Sequence, residues 1–200
     1  MKVLGISGSP RSGGNTDILV HEALDALARE GIATDFLSLA DRPVRPCVAC
    51  RGCATAEGLQ CVQEDPAFEG IVERFVAADG VIVGSPVYFG SATPQTMALL
   101  DRVGYVARCK ENFLRRKVGA AIAVARRAGA NFTFAQLNYF FLINEMIVPG
   151  STYWNIAYGL QKGHVREDNE GMTTVRTLAA NMAWLLKKLH GDPAAGSAGS

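Results

Sequence analysis

The chain has no long apolar run, no excess of charge of one sign and no cluster of histidines, and each absence removes a class of function. No stretch of it approaches the roughly 20 consecutive apolar residues that a membrane span needs. Its 20 basic side chains are balanced by 19 acidic ones, for a formal net charge of +1. That balance leaves no electrostatic footprint for nucleic acid or an acidic membrane surface. His21, His164 and His190 stand far apart and form no HExxH-like pair. No G-x-S-x-G elbow occurs, since "GISGS" and "GSPVY" both miss the spacing, which argues against a hydrolase of that type. The opening "MKVLGISGSP" is too short in its apolar part for a signal peptide and reads as a first strand. A cytoplasmic protein with reduced thiols is therefore expected. No internal repeat or linker divides the chain, so one domain is expected over 1–190, carrying a cysteine-rich insert at 45–63. The tail at 191–200, "GDPAAGSAGS", lacks apolar periodicity and is expected to be disordered.

What is present is an alternation of strand-like and helix-like patterns, the signature of a parallel α/β sheet. Strands are predicted at 2–7, 33–39, 80–88, 117–125 and about 146–152, and helices near 16–29, 66–77, 94–108, 133–144 and 171–189. The last helix is marked by Val175, Leu178, Ala179, Met182, Leu185, Leu186 and Leu189 at spacings of three and four. The third and fourth strands are almost entirely apolar, which puts them at the sheet centre with both faces buried. The order suits a flavodoxin-like doubly wound, five-stranded parallel sheet, strand order 2-1-3-4-5, with helices on both faces.

In such sheets ligands bind beyond the carboxyl ends of the strands, where a helix N-terminus offers free N–H groups to an anion. "SGSPRSGGNT" (7–16) joins the first strand to the first helix there. Gly8 and Gly13 have the spacing of a Walker A loop, but Gly14 stands where the lysine belongs. GxGxxG is not met either, so the loop suits the phosphate of a mononucleotide; its plainer reading is a turn that caps a helix with Asn15 or Thr16. "GSPVYFGSATPQTMALLDR" (84–102) follows the most hydrophobic strand. Pro86 and Pro94 stiffen it, Gly90 permits unusual φ, and Tyr88 and Phe89 supply flat apolar surface for a planar ring, or simply pack beneath the loop.

Four of the five cysteines lie in "CVACRGCATAEGLQC" (47–61). Cys47, Cys50 and Cys53 have x2 spacing, and Cys61 follows after seven residues. Three thiolates so spaced can wrap one face of a cubane and a fourth can close it. Zinc, free or redox-active thiols and a disulfide remain open, although structural zinc more often uses two separated C-x2-C knuckles. Cys109 reads as a buried or incidental thiol.

Taken with "RRAGAN" (126–131), "YWN" (153–155) and "REDNEG" (166–171), these loops resemble the NAD(P)H-dependent FMN reductase superfamily over about residues 1–189. The compact cysteine motif is similar to that of its iron–sulfur flavoproteins. The resemblance implies an FMN phosphate at Ser7, Ser9, Arg11, Ser12, Asn15 and Thr16. It implies flavin-ring contacts at Pro86, Val87, Tyr88, Phe89 and Gly90, with Arg126 or Arg127 approaching the ring or lying as solvated charges. It further implies a [4Fe–4S] cluster on Cys47, Cys50, Cys53 and Cys61. The activity implied is electron transfer between a reduced carrier and an acceptor. The alternative is an NAD(P)H-dependent reductase of FMN or quinones whose cysteines hold no cluster, and a third is a flavin- or metal-sensing module. NAD(P)H or a ferredoxin-like carrier is the expected partner. A homodimer or homotetramer is expected, partly because "FTFAQLNYFFLINEMIV" (132–148) has too much apolar surface for a helix with one solvated face.

Overall fold

The computed structural model describes residues 1–191; the tail expected beyond Gly191 lies outside the described residues. Five parallel strands run in the order β2-β1-β3-β4-β5, as expected. They are β1 (Lys2–Ser7), β2 (Ala33–Ser38), β3 (Gly80–Pro86), β4 (Val118–Ala125) and β5 (Ile156–Tyr158). Among the described residues six α-helices connect or flank them: α1 (Asn15–Arg29), α2 (Gly52–Thr55), α3 (Ile71–Ala77), α4 (Pro94–Cys109), α5 (Ala130–Ile143) and α6 (Asn169–His190). Parallel strands need crossovers, and the crossovers cover both faces, so β4 is buried at every residue. On one face α1 and α6 cover Val3, Ile82, Ala120 and Ile122. On the other, α3, α4 and α5 bury Leu4, Ile6, Val81, Val83 and Ala121. No helix of the described residues is long and apolar enough to cross a membrane.

The fifth strand differs from the expectation. Of the segment 146–152, Ile147 makes a single bridge to Val118, with main-chain bonds to Lys117 and Gly119 of 2.9 Å each. Pro149 then has no N–H to donate and the chain leaves the sheet. It returns as Ile156–Tyr158 beside Ala123–Ala125. One edge lane is thus filled by two pieces, and the later piece carries the chain to the ligand-binding end. Asp168 ties it down, accepting from the Tyr158 amide at 2.7 Å and capping α6 through the Gly171 amide at 2.9 Å.

Candidate functional site

The loop between β1 and α1 is held by buried polar contacts from three other elements. Gly8 donates its amide to Gly84 O at 2.7 Å, and its carbonyl accepts from Thr93 Oγ1 at 2.6 Å. Thr93 also meets Thr96 Oγ1 at 2.7 Å and takes Ser85 Oγ as acceptor for its amide at 3.0 Å. A Cβ at residue 8 would overlap Thr96 Oγ1, so glycine is required by this close approach of β1, β3 and the start of α4. Asp17, buried in the first turn of α1, accepts from Ser7 Oγ and from the Gly13 amide, the latter at 2.7 Å. The loop is thereby closed into a cradle before any ligand arrives.

Neither Asn15 nor Thr16 caps α1: the cap position is Gly14, with no side-chain hydrogen bond. The first-turn amides are therefore left for an anion. Asn15 instead donates to Gly159 O at 3.0 Å and Gln161 O at 2.9 Å, and accepts from the Gly163 amide at 2.7 Å. It pins the segment after β5 over the loop. That segment brings Lys162, whose Nζ donates to Ser12 O at 3.4 Å. Lys162 thus reaches the loop beside Gly13 from 150 residues away, a distance that hides it from any motif.

A cavity of about 280 Å³ opens where β1, β3, β4 and β5 end. Of the expected flavin residues, Ser9, Arg11, Asn15, Thr16, Pro86, Val87, Tyr88 and Arg126 line it together. Gly14, Val124, Ala125, Gly159, Leu160 and Lys162 complete it, none of them anticipated. Arg11, Arg126 and Lys162 make its rim basic, while Pro86, Val87, Val124 and Ala125 make one wall apolar. Such a cavity can take an anionic group at the helix end and a planar apolar body along the wall. The remaining expected residues do not line it. Ser7 is fully buried on Asp17, and Ser12 faces a neighbouring cleft with His21 and Asp25. Phe89 stands wholly exposed at φ +51°, followed by Gly90 at φ +82°, and Arg127 is exposed.

The cysteine loop is built differently. Its neck is closed by Arg102 of α4, whose buried guanidinium pairs with Asp65, donates to Arg45 O and Gln63 O at 3.4 Å each, and stacks 3.8 Å from the Phe68 ring centroid. The Arg45 amide also donates to Asp65, at 3.0 Å. Burial alone would raise the Asp65 carboxyl, but the Arg45 amide and the Arg102 guanidinium outweigh it and hold it below its ordinary value. Between these ends, main-chain pairs among the described residues are confined to the α2 turn. Ala49 and Arg51 take left-handed φ of 53° and 60° and curl the chain around Cys50.

Cys50 is exposed, Cys47 and Cys61 are half-buried, and Cys53 is buried in the α3–α4 core. The Cys53 and Cys109 sulfurs lie 3.6 Å apart. Burial, then the hydrogen bond with Cys109, pushes the Cys53 thiol up to about 11. Among the described residues no three Cys, His, Asp or Glu side chains stand together as a metal site. The donor set, four soft sulfurs on one clamped loop with few internal bonds, nonetheless has the chemistry of an iron–sulfur site.

The whole arrangement has close relatives. A family model described as NADPH-dependent FMN reductase matches residues 1–161. An iron–sulfur flavoprotein of Methanocaldococcus jannaschii is 42% identical over 199 residues, covering 94% of this chain and 98% of that one. An iron–sulfur flavoprotein of Methanosarcina thermophila is 36% identical over 192 residues, covering 95% and 97%. A solved flavodoxin from the domain Archaea superposes with a TM-score of 0.62 over 94% of this chain and 99% of that one, at 14% identity, which shows a shared flavodoxin-like fold.

Proposed function

The chain belongs to the NADPH-dependent FMN reductase family and is an FMN-dependent oxidoreductase; from that premise we propose that it passes electrons between FMN at the β1–β3–β4 switch point and an iron–sulfur cluster on Cys47, Cys50, Cys53 and Cys61. The observation that carries the flavin half is the basic-rimmed cavity that joins Ser9, Arg11, Asn15 and Thr16 to Pro86, Val87 and Tyr88. In this reading the open first-turn amides of α1, Arg11 and Lys162 bind the phosphate. Ser9 and Thr16 add hydroxyl donors. Pro86, Val87 and Tyr88 back the ring, Phe89 and Gly90 form its lip, and Arg126 or Arg127 offsets the charge it gains on reduction. Ser7 serves from beneath by fixing Asp17, and Ser12 through its carbonyl to Lys162. The cofactors supply the redox chemistry; the chain binds, orients and tunes them.

The cluster half draws on the donor set and on the names of the relatives. Cys53 meets Cys109 at the far end of α4, a helix of 16 residues and so about 24 Å long, whose N-terminus touches the phosphate loop. A cluster there is remote from the flavin of its own chain, so a second copy completes the path. Tyr105, Tyr139, Leu142 and Ile143 remain exposed on α4 and α5 beside the cysteine loop, an apolar face suited to a homodimer or to half of a homotetramer. The donor is NAD(P)H or a ferredoxin-like carrier, in a compartment such as the cytoplasm that keeps thiols reduced.

The Cys53–Cys109 contact, which engages one of the four thiols, favours a second reading, an NAD(P)H-dependent reductase of flavins or quinones without a cluster. Anaerobic purification with flavin, iron and sulfide analysis separates the two. The first reading expects FMN with about four irons and four sulfides per chain and a brown protein. Yellow, iron-free protein bleached by NADPH would support the second, and stoichiometric FAD would sink both.

A further inference from the structure

The cysteine that the motif leaves over is the one that touches it. Among the described residues the Cys53–Cys109 pair, 3.6 Å between sulfurs, is the one thiol–thiol contact. We propose that Cys53 and Cys109 form a reversible disulfide under a peroxide, which withdraws Cys53 from the ligand set; the second clause rests on the cluster reading above.

Three observations carry this. A disulfide needs its sulfurs at about 2.05 Å, so the gap closes by little more than an ångström and a half of approach. Cys53 lies on the four-residue α2, entered through left-handed Arg51 and tied to the rest of the loop by few main-chain bonds, so that side can give. Cys109 ends α4 and lines an open cavity of about 750 Å³ with Arg51 and Ala54, whereas Cys53 is only 7% exposed. An oxidant therefore meets Cys109 first.

The Cys109 sulfur attacks a peroxide oxygen and the O–O bond breaks, leaving a sulfenic acid and one water. The Cys53 sulfur then attacks the Cys109 sulfur, the S–O bond breaks and a second water leaves. Two electrons pass from the two sulfurs to the peroxide, and both thiol protons end in water. A thiol reductant reverses the step by exchange. Because Cys53 cannot hold both Cys109 and iron, oxidised protein is barred from cluster assembly until it is reduced.

The test uses the full chain with FMN bound, reduced anaerobically and treated with an iron chelator, then given one equivalent of hydrogen peroxide. Free thiols counted in denaturant should fall by two, and mass spectrometry of the alkylated digest should find the Cys53 and Cys109 peptides joined. Iron and sulfide uptake should drop more than tenfold against the reduced control and return after a dithiol. Recovery of alkylated Cys109, with Cys53 joined to another loop cysteine, would overturn the pairing. Equal iron uptake by cross-linked and reduced protein would overturn the withdrawal. If the cross-link forms but the reduced control takes up no iron, the disulfide stands and the cluster reading falls.

Discussion

The phosphate loop at 7–16 and the cysteine loop at 45–65 both follow a strand on the same side of the sheet centre, yet they prepare for a ligand in opposite ways. The first is stitched by Gly8, Thr93, Thr96, Ser85 and Asp17, so its amides and side chains converge before anything binds. The second is clamped at its neck by Arg102 and Asp65 and has few main-chain hydrogen bonds between, with no three of its thiols gathered. On the proposed assignment the difference follows from the ligands. A phosphate is met by dipoles that a folded backbone can hold ready. Four cysteines, by contrast, lose their protons and gather only as iron binds them. A preformed cradle and a ligand-assembled loop can therefore coexist in one chain, each failing in its own way.

The largest effect should come from removing one thiolate. Cys53→Ser is expected to abolish the bound iron and sulfide while leaving FMN at full occupancy, because the two loops share no side chain; metal and flavin analysis of one preparation reads both. Loss of FMN along with iron would show the loops to be coupled. Next comes the neck. Arg102→Ala leaves the Asp65 carboxylate buried and unpaired, which costs about 3–5 kcal/mol, read as a lower urea midpoint. FMN should still bind below that midpoint, since the cradle does not touch Arg102.

The cradle predicts a smaller loss. Asn15→Ala removes three hydrogen bonds to the 159–163 segment, each worth about 1 kcal/mol, and frees Lys162 from the loop. FMN affinity should fall roughly tenfold to a hundredfold, since about 1.4 kcal/mol is a tenfold change, with cluster content unchanged. The smallest effect is acid sensitivity. Asp65 is held below its ordinary value, so its contribution is complete above an unfolded carboxylate's pKa of about 3.9. It is lost as pH falls through the lower folded value. Wild-type stability should decline across that acid window, and Asp65→Asn should lose the part of the slope that this carboxyl supplies.

These contrasts also explain what the chain's sequence made legible. The sheet order and the two glycine-rich loops could be read because strand periodicity and turn chemistry are local. Ser7, Ser9, Arg11, Ser12, Asn15 and Thr16 all fall in one such loop and were named through the family resemblance; Ser9, Arg11, Asn15 and Thr16 line the cavity, whereas Ser7 and Ser12 do not. Lys162 and the Thr93–Thr96 pair did not, because they reach the cradle through tertiary packing with no motif of their own. The fifth strand lies beyond its expected position because Met146–Val148 has strand-like composition, whereas the segment that pairs, Ile156–Tyr158, has only three residues. The contact of Cys109 with Cys53 was not legible because it spans 56 residues of sequence.

The claim that one loop is built before its ligand and the other by it can be measured directly by amide hydrogen exchange on one protein in three states: stripped, FMN-loaded, and reconstituted with iron and sulfide. The bonded amides of Gly8, Gly13 and Gly14 should exchange slowly in all three, while the open Asn15 and Thr16 amides should become protected only with FMN. Residues 47–61 should exchange quickly until iron and sulfide are added and then become protected. Slow exchange at 47–61 in the stripped protein, or exchange of the Gly8, Gly13 and Gly14 amides as fast as at 47–61, would contradict the account.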